Sequence, residues 1–420
     1  MDSGGWRLYA AADSVSFTSE TALENRKVFQ KSDIGNSLEI MSATKNPALQ
    51  WLCTGREIFP AMLTAMAAAR ESIQLETYIF ADGKLGRQVL SALLAAAQRG
   101  VRVRVLVDAA GSWFLPNDFF APLTAAGAEV RRFNPLHLWR FGVRDHRKLL
   151  ICDGSVIFIG GFNVADEYDG DGVTCGWCDL GVRLENPALA KELSASFQEL
   201  FALADFQRRP MLRLRAFKRR RQLQKPAPGE LLLSQPGRGA SPFQVALAHD
   251  LAAARDVRIV SAYFLPTRRV RRDLIRIAKS GVRVQLLLAG KSDVPVSQMA
   301  ARSLYPRLLK AGVEIYEYQP QILHAKLVFA DGITYLGSSN LDIRSLNLNY
   351  ELTLRFTDKT VAAEAQEIFG HALKHSRRIE LSAWRKSQTF WARWKNHWAH
   401  FLLARIDPFI ALRQFRTVGK

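Results

Sequence analysis

The sequence is poor in cysteine, with four in 420 residues, and it contains no apolar run long enough to cross a bilayer. Four unevenly placed cysteines are too few for a disulfide framework in a chain of this length, so reduced thiols are expected. The single Cys175-x-x-Cys178 pair has no second pair of similar spacing, which argues against a zinc site. Because no apolar run is long enough to cross a bilayer, any contact with a membrane is expected to be peripheral.

The N-terminal stretch also lacks the basic region and apolar core of a secretory leader. This absence favours a cytoplasmic location. Residues 1–48 show no strong periodicity and are expected to form an N-terminal extension that is partly disordered.

Positive charge is abundant but unevenly distributed, and the net charge is +19. Residues 207–225 hold nine lysines or arginines and no acid, and residues 374–420 hold eleven against two acids. The remainder of the chain is close to neutral. Charge confined to two segments favours binding to a polyanionic surface, and phospholipid headgroups and nucleic acid both fit this description.

The chain repeats itself. Two alternating strand patterns at 72–80 and 257–265 each lead into an amphipathic helix, and each helix is followed by a glycine and a second strand pattern, at 101–107 and 282–288. A third matched pair consists of residues 126–130 and 311–315. Strand, helix and strand repeated in one order predict an α/β fold built from a duplicated unit, with two mixed or parallel sheets flanked by helices.

Composition shifts along the chain predict five regions. The first repeat has seven extra residues before His146, within an aromatic and basic loop at 136–145. This loop is either a surface loop without a role or a loop that faces the substrate. The regions are an N-terminal extension (1–48), a first repeat (49–210), a basic linker (211–240), a second repeat (241–372) and a basic aromatic C-terminal segment (373–420).

Each repeat contains a histidine, a lysine two residues later and an aspartate five residues after the lysine. The first set is His146, Lys148 and Asp153, and the second is His324, Lys326 and Asp331. Residues i and i+2 of a strand share a face, so each imidazole and its neighbouring ammonium could meet the same phosphate. Two copies with identical spacing predict one phosphate-handling site.

A small-residue turn that ends in asparagine follows each motif. Gly161 and Asn163 lie in the first turn, and Ser338 and Asn340 lie in the second. Small residues allow close backbone approach, and asparagine amides can donate to phosphate oxygens. Gly161 and Ser338 are therefore predicted to bind substrate, although a simple tight turn would use the same residues.

This pattern resembles the phospholipase D superfamily, whose members place two such motifs at a shared interface. The resemblance extends from about residue 52 to residue 370, and the bacterial cardiolipin synthases look nearest, on residues 55–60, 75–80 and 263–266. The longer cardiolipin synthases are expected to carry N-terminal membrane spans, which this sequence lacks. Recruitment to a membrane by surface contact is expected instead.

The resemblance implies a mechanism through a phosphohistidine, with no cofactor and no metal. One histidine attacks phosphorus while the other protonates the leaving alkoxide and then deprotonates the acceptor alcohol. By analogy His146 is the nucleophile and His324 the general acid and base, and the sequence leaves the reverse assignment open. Lys148, Lys326, Asn163 and Asn340 would stabilise the charge on the phosphate oxygens.

A nucleophilic imidazole needs an acceptor that holds its other nitrogen. Residues 177–184 align with residues 349–356, which identifies Asp179 and Glu351 as the two orienting carboxylates. Asp153 and Asp331 are interpreted as structural, either stabilising turns or making ion pairs.

Aromatic and basic residues alternate near the C-terminus. Such a helix could lie at a bilayer interface, pack its tryptophans onto the domain or contact nucleic acid. The aromatic residues are Trp384, Phe390, Trp391, Trp394, Trp398, Phe401 and Phe409.

The function that the resemblance implies is a phosphatidyltransferase of cardiolipin synthase type, with phosphatidylglycerol as donor and a second phosphatidylglycerol as acceptor. The predicted partner is an anionic phospholipid membrane, contacted peripherally on the cytoplasmic face. A phospholipase D hydrolase and a phosphodiesterase or endonuclease acting on nucleic acid are the alternatives, and the clustered aromatics make nucleic acid the less expected partner. The sequence leaves the oligomeric state open.

Overall fold

The computed structural model describes residues 49–134, 142–204, 230–237 and 239–406. Three predictions lie wholly or largely outside these ranges: the N-terminal extension, the inserted loop before His146 and the basic run at 207–225.

The first repeat consists of one sheet with helices packed against it. Its elements are β1 (Leu49–Leu52), α1 (Gly55–Ala68), β2 (Ser72–Thr77), α2 (Lys84–Gln98), β3 (Arg102–Asp108), α3 (Ala121–Ala125), β4 (Glu129–Phe133), β5 (Leu149–Cys152), β6 (Val156–Gly160), β7 (Gly181–Glu185) and α4 (Pro187–Ala204).

The second repeat uses the same plan with additional elements at its end. Its elements are β8 (Glu230–Ser234), α5 (Pro242–Ala253), β9 (Asp256–Ser261), β10 (Phe264–Leu265), α6 (Arg268–Lys279), β11 (Arg283–Ala289), α7 (Pro295–Arg302), α8 (Tyr305–Lys310), β12 (Glu314–Tyr318), β13 (Leu327–Ala330), β14 (Ile333–Gly337), β15 (Leu341–Asp342), α9 (Ile343–Asn347), β16 (Glu351–Phe356), α10 (Lys359–Lys374), β17 (Ser376–Ile379), α11 (Leu381–Ser387) and α12 (Phe390–Phe401).

The two large sheets share one topology. The strand order is β1-β7-β6-β5-β2-β3-β4 in the first sheet and β17-β12-β11-β9-β13-β14-β16-β8 in the second, so all seven strands of the first sheet have a counterpart in the second, which adds β17 at its edge. In each sheet three neighbouring strands are parallel, and the strands that follow the histidine motif are antiparallel. The predicted duplicated α/β fold with mixed sheets is therefore confirmed.

Local chemistry explains why the elements begin and end where they do. Thr54 and Glu57 form a capping box at the start of α1, which satisfies backbone donors that the first helical turn leaves free. Gly100 and Gly281 follow α2 and α6 with φ of 88° and 90°, the left-handed conformation that ends a helix at little cost for glycine. Each repeat thus turns from helix to the next parallel strand at the same point.

Buried apolar residues form separate cores within the halves and one core between them. The shared core brings Leu149, Ile159 and Val182 of the first sheet together with Leu327 and Leu352 of the second, and helices α4 and α10 contribute to it. Burial of apolar surface is the main force that holds two such sheets together. The halves therefore meet face to face, and the histidine motifs lie along this interface.

Three details differ from the sequence predictions. Residues 230–234, within the predicted linker, form β8 and pair with β16 at the edge of the second sheet. Residues 376–379, within the predicted C-terminal segment, form β17 and pair with β12. Trp384 is buried against Tyr305, so it belongs to the core of the second repeat and not to an exposed aromatic surface.

Candidate active site

His146 lies in an extended segment just ahead of β5 and reaches across the interface between the repeats. Its backbone N–H donates to the Tyr350 carbonyl at 3.0 Å. Its Nδ1 lies 3.1 Å from a carboxylate oxygen of Glu351, the first residue of β16. The nearest acceptor for the first repeat's histidine is therefore supplied by the second repeat.

His324 makes the reciprocal arrangement. Its backbone N–H donates to the Cys178 carbonyl at 2.7 Å, and its Nδ1 lies 2.6 Å from Asp179 Oδ2. Asp179 precedes β7 of the first repeat. Each histidine thus pairs with a carboxylate from the opposite half, and each carboxylate directly follows the residue whose carbonyl accepts the histidine N–H.

The two lysines lie beside their histidines. Lys148 Nζ donates to the His146 carbonyl at 2.7 Å and lies 5.2 Å from the centre of the Tyr78 ring. Lys326 Nζ donates to the His324 carbonyl and lies 3.1 Å from His324 Nε2. Burial, and then the charge of Lys326, lower the pKa of Lys148 to about 7, and burial lowers the pKa of Lys326 to about 8.

Burial and the lysines also keep the imidazoles neutral in the free site. Burial, followed by Lys326, lowers the pKa of His324 to about 3, and burial lowers that of His146. Burial alone would raise the pKa of Asp179, but Lys326 and His324 more than offset it and hold this carboxyl below its usual pKa. An ionised Asp179 and a neutral His324 place the imidazole proton on Nδ1 and leave Nε2 as a base.

The two asparagines have different surroundings. Asn163 is buried, donates to the Tyr168 hydroxyl at 2.6 Å and accepts from the Ile79 N–H at 3.1 Å. The Tyr168 hydroxyl in turn lies 3.5 Å from His324 Nε2. Asn340 is buried as well, and its Oδ1 has no hydrogen-bond partner among the described residues.

Gly161 and Ser338 lie against Asp179 and Glu351, the carboxylates that contact the two histidines. A Cβ atom on Gly161 would stand 2.1 Å from Asp179 Oδ1, so only glycine leaves room for this carboxylate. The hydroxyl of Ser338 donates to Glu351 Oε2. Both positions were predicted to bind substrate, whereas the contacts that the structure shows are with Asp179 and Glu351.

Asp153 and Asp331 lie away from the histidines, in the turns after β5 and β13. Asp153 accepts from the backbone N–H groups of Arg70, Glu71 and Ser72, and Asp331 accepts from that of Asp256 at 2.8 Å. These turns are thereby attached to the segments that lead into β2 and β9. Both aspartates thus accept hydrogen bonds from backbone groups of their own repeats, and their structural role stays a prediction.

Aromatic rings around the histidines were missed as site residues. Tyr78 lies 4.9 Å from the His146 ring, Tyr263 lies 6.3 Å from the His324 ring, and Tyr168 and Trp177 lie 5.2 and 5.6 Å from it, measured between ring centres. Tyr78 and Tyr263 occupy matching places in the repeat, 185 residues apart, and that match was the available signal.

No group of three or more His, Cys, Asp or Glu side chains is placed to hold a metal ion in the part of the chain that the structure describes. Over the same residues, every helix is too short or too polar to cross a bilayer.

A duplicated α/β fold that brings two His-Lys pairs to one interface defines a chain of the phospholipase D type. The family model described as "Cardiolipin synthase, PLD-like domain" matches residues 62–201 and 247–373, and the chain belongs to this family.

Curated relatives are similar over most of the chain. Cardiolipin synthase B of Shigella flexneri is 35% identical over 323 residues, which cover 74% of this chain and 76% of the relative. Cardiolipin synthase 1 of Bacillus anthracis is 32% identical over 347 residues, which cover 80% and 68% respectively. The chain is therefore an enzyme of the phospholipase D type with a cardiolipin synthase-like phosphatidyltransferase function.

Solved structures share the fold at low identity. Phosphatidylserine synthase of Haemophilus influenzae Rd KW20 aligns with a TM-score of 0.70 and 13% identity over 91% of this chain and 100% of that chain. Polyphosphate kinase of Porphyromonas gingivalis aligns with a TM-score of 0.55 and 16% identity over 80% of this chain and 50% of that chain. At these identities the likeness concerns the fold alone.

Proposed function

We propose that the enzyme transfers a phosphatidyl group from one phosphatidylglycerol to a second, yielding cardiolipin and glycerol, through a phosphohistidine on His146. The observation that carries this proposal is the reciprocal pairing of His146 with Glu351 and of His324 with Asp179, beside two buried lysines. Such a site supplies a nucleophile, a separate proton donor and fixed positive charge.

In the first half-reaction Nε2 of His146 attacks phosphorus, and the bond from phosphorus to the glycerol headgroup oxygen breaks. His324 gives its proton to that oxygen, so glycerol leaves as an alcohol. The low pKa of His324 in the free site means that this proton must be taken up with the substrate. A phosphodiester anion between Lys148 and Lys326 would offset their charge and so favour the protonated imidazole.

In the second half-reaction His324 is neutral and removes the proton from the hydroxyl of the acceptor phosphatidylglycerol. The acceptor oxygen attacks phosphorus, the bond to His146 breaks and cardiolipin leaves. Glu351 holds the Nδ1 proton of His146 and would stabilise positive charge on this ring while it carries the phosphatidyl group. Water at the acceptor position would instead release phosphatidic acid.

The lysines and asparagines are proposed to contact the phosphate oxygens. Lys148 and Lys326 are buried, so their charge acts in a medium where it is poorly screened. Positive charge fixed before substrate binds requires little reorganisation in the transition state. In this proposal Asn163 and Asn340 donate to the same oxygens from the turns after β6 and β14.

The site is proposed to meet its substrate at the cytoplasmic face of the cell membrane, with α12 as a peripheral contact. On this helix Trp391, Trp394 and Trp398 are 67%, 49% and 49% exposed and follow one another along a single face. Exposed Arg393 and Lys395 lie between them. Tryptophan at headgroup depth with cations beside anionic lipid is typical of an interfacial helix.

The direct test incubates the purified full chain with phosphatidylglycerol vesicles and, separately, with single- and double-stranded DNA. The proposal expects cardiolipin and glycerol in equal amounts from the parent and none from His146→Ala or His324→Ala. His371→Ala is the matched control, because His371 lies on α10 outside the site, and it should retain the parental rate.

Trapping the intermediate separates the two histidine roles. The donor lipid carries a labelled phosphate and a good leaving group, and the reaction is stopped with alkali. Label should stay on the His324→Ala protein, and none should attach to the His146→Ala protein. Phosphatidic acid as the sole product would indicate a hydrolase, and DNA cleavage with inert lipid would contradict the proposed substrate. Label on His324 in the His146→Ala protein would reverse the assignment.

A further inference from the structure

The loop that follows β3 exposes two adjacent aromatic side chains. Trp113 is 60% exposed and Phe114 is 96% exposed, while Ser112 and Leu115 on either side are 2% and 3% exposed. A single exposed aromatic residue is common on protein surfaces, but a tryptophan and a phenylalanine together at the tip of one loop are not. Residues 112–115, which include this pair, are called the aromatic loop.

Hydrogen bonds hold the aromatic loop in this conformation. Ser112 Oγ donates to the Tyr78 carbonyl at 3.2 Å and accepts from the Phe80 N–H at 2.9 Å. The guanidinium of Arg132 donates to the Leu115 carbonyl at 3.1 Å. With both ends attached to the body of the repeat, the two aromatic side chains between them point outward.

The aromatic loop is directly connected to the active site. The Tyr78 ring lies 4.9 Å from the His146 ring, and the backbone of Tyr78 is the group that Ser112 contacts. A Cβ atom on Gly111 would lie 2.2 Å from the Tyr78 carbonyl oxygen, so loop and tyrosine are in close backbone contact. The loop that carries the exposed aromatic pair is therefore joined to the first histidine through Tyr78.

The second repeat has a corresponding arrangement. The segment after β11 contains Asp293, which accepts from the Tyr263 hydroxyl at 2.7 Å, and then α7. Helix α12 packs on α7 and buries Asn396 and Ala399, which leaves its aromatic face outward. In each half, the segment after the corresponding strand, β3 or β11, contacts the tyrosine beside the histidine and leads to an exposed aromatic surface.

We infer that the aromatic loop inserts Trp113 and Phe114 into the bilayer interface beside His146, so that the loop and α12 hold the entrance of the active site against the membrane. This inference rests on the proposed function and adds a second membrane contact to it. A lipid surface is the occupant that fits best, because α12 combines its aromatic face with the exposed cations Arg393 and Lys395, and the preceding helix α11 adds exposed Arg385 and Lys386.

The arrangement also explains how lipid reaches buried groups. His146 is 8% exposed and His324 is 3% exposed, so a headgroup must enter a narrow site while its acyl chains stay in an apolar medium. Two aromatic contacts, one on each side of the interface between the repeats, would fix the orientation of the site toward the bilayer. A single contact through α12 would leave the molecule free to tilt.

The test compares Phe114→Ser and Trp113→Ser with the parent in two assays on the full chain. Binding is measured by sedimentation with vesicles of phosphatidylglycerol and phosphatidylcholine, and turnover is measured on a short-chain phosphatidylglycerol below its micelle concentration. We expect each variant to bind vesicles about tenfold more weakly, because each loses the burial of one aromatic side chain in the membrane. Turnover on the monomeric substrate should stay at the parental value. Val245→Ser, at a 55% exposed position on α5, is the matched control and should change neither assay.

Insertion is read directly from quenching of tryptophan fluorescence by lipids brominated in their acyl chains. The inference expects quenching that falls in Trp113→Phe, since this substitution removes the emitter and keeps an aromatic side chain. Parental vesicle binding by Phe114→Ser, or an equal loss of turnover on monomeric and vesicle substrates, would overturn it. If vesicles bind through Phe114 but the parent makes no cardiolipin, the proposed function fails while the membrane contact stands.

Discussion

His324 and Asp179 lie 2.6 Å apart although 145 residues separate them in the chain, and they belong to different repeats. The pair formed by His146 and Glu351 spans 205 residues, and here the histidine belongs to the first repeat and the carboxylate to the second. Neither repeat alone contains an oriented histidine. The duplicated domain therefore forms one candidate active site, because each copy supplies the carboxylate that contacts the histidine of the other copy.

Asp179→Asn should lower the rate of phosphatidyl transfer by about 10²- to 10⁴-fold while leaving the fold intact. An amide in place of the carboxylate can donate to Nδ1 and so favour the wrong tautomer of His324. Transfer rate and thermal unfolding are measured together. Asp358→Asn is the control: Asp358 caps α10, asparagine caps equally well, and both quantities should stay at parental values. A parental rate in Asp179→Asn would contradict the orienting role.

Gly161→Ala should impair catalysis through the same carboxylate. The new Cβ would meet Asp179 Oδ1 at 2.1 Å, so the carboxylate must move away from His324. We expect a loss of transfer of about 10²-fold or more, since a displacement of the order of an ångström is enough for that effect. Gly370→Ala, at a helical position on α10 with no atom within 4 Å, should leave the rate unchanged. Equal rates in the two variants would show that Asp179 tolerates the shift.

The dependence of activity on pH should follow the lysines. Burial lowers the pKa of Lys326 to about 8, and burial together with Lys326 lowers that of Lys148 to about 7. Since a neutral amine cannot stabilise phosphate charge, kcat/KM should fall as pH rises through about 7 to 8. A kcat/KM profile that stays flat up to pH 9 would contradict this assignment.

Stability should change in the opposite direction over the same range. Between the lowered folded pKa values and the unfolded value of about 10.4, the unfolded chain binds more protons than the folded one, so the free energy of unfolding rises with pH. The contribution of Lys148 is isolated as the difference between the parent and Lys148→Met in denaturant titrations from pH 6 to pH 10. A difference that does not change with pH would argue against a lowered pKa.

A buried ion pair supports the first repeat and is absent from the second. Arg147 donates to both oxygens of Glu76 at 2.6 and 2.7 Å, and the matching residues of the second repeat are Ala325 and Ser261. Arg147→Ala should lower the free energy of unfolding by about 3 to 5 kcal/mol, because it leaves a buried carboxylate without its partner. The double variant Arg147→Ala with Glu76→Ser copies the second repeat and should recover most of that loss in urea titrations. No recovery would indicate that the arginine acts through other contacts, such as that with Ser196.

The sequence by itself determined the duplication, the class of fold and the pair of His-Lys motifs. These features depend on local patterns: alternation in the strands, a period near 3.6 in helices and fixed spacing within each motif. The aromatic and basic character of the segment that contains α12 was predicted on the same basis. Each pattern involves only residues close together in the chain, and the duplication follows from comparing one such pattern with another.

Contacts between distant residues were decided by the tertiary structure. The alignment of the repeats indicated Asp179 and Glu351 as orienting carboxylates, but it could not say which histidine each one holds. The burial of Trp384, the exposure of Trp113 and the role of Gly161 as space for a carboxylate likewise have no local signature. Each depends on which side chains two folded sheets bring together, and a sequence pattern with a period of a few residues carries no information about that.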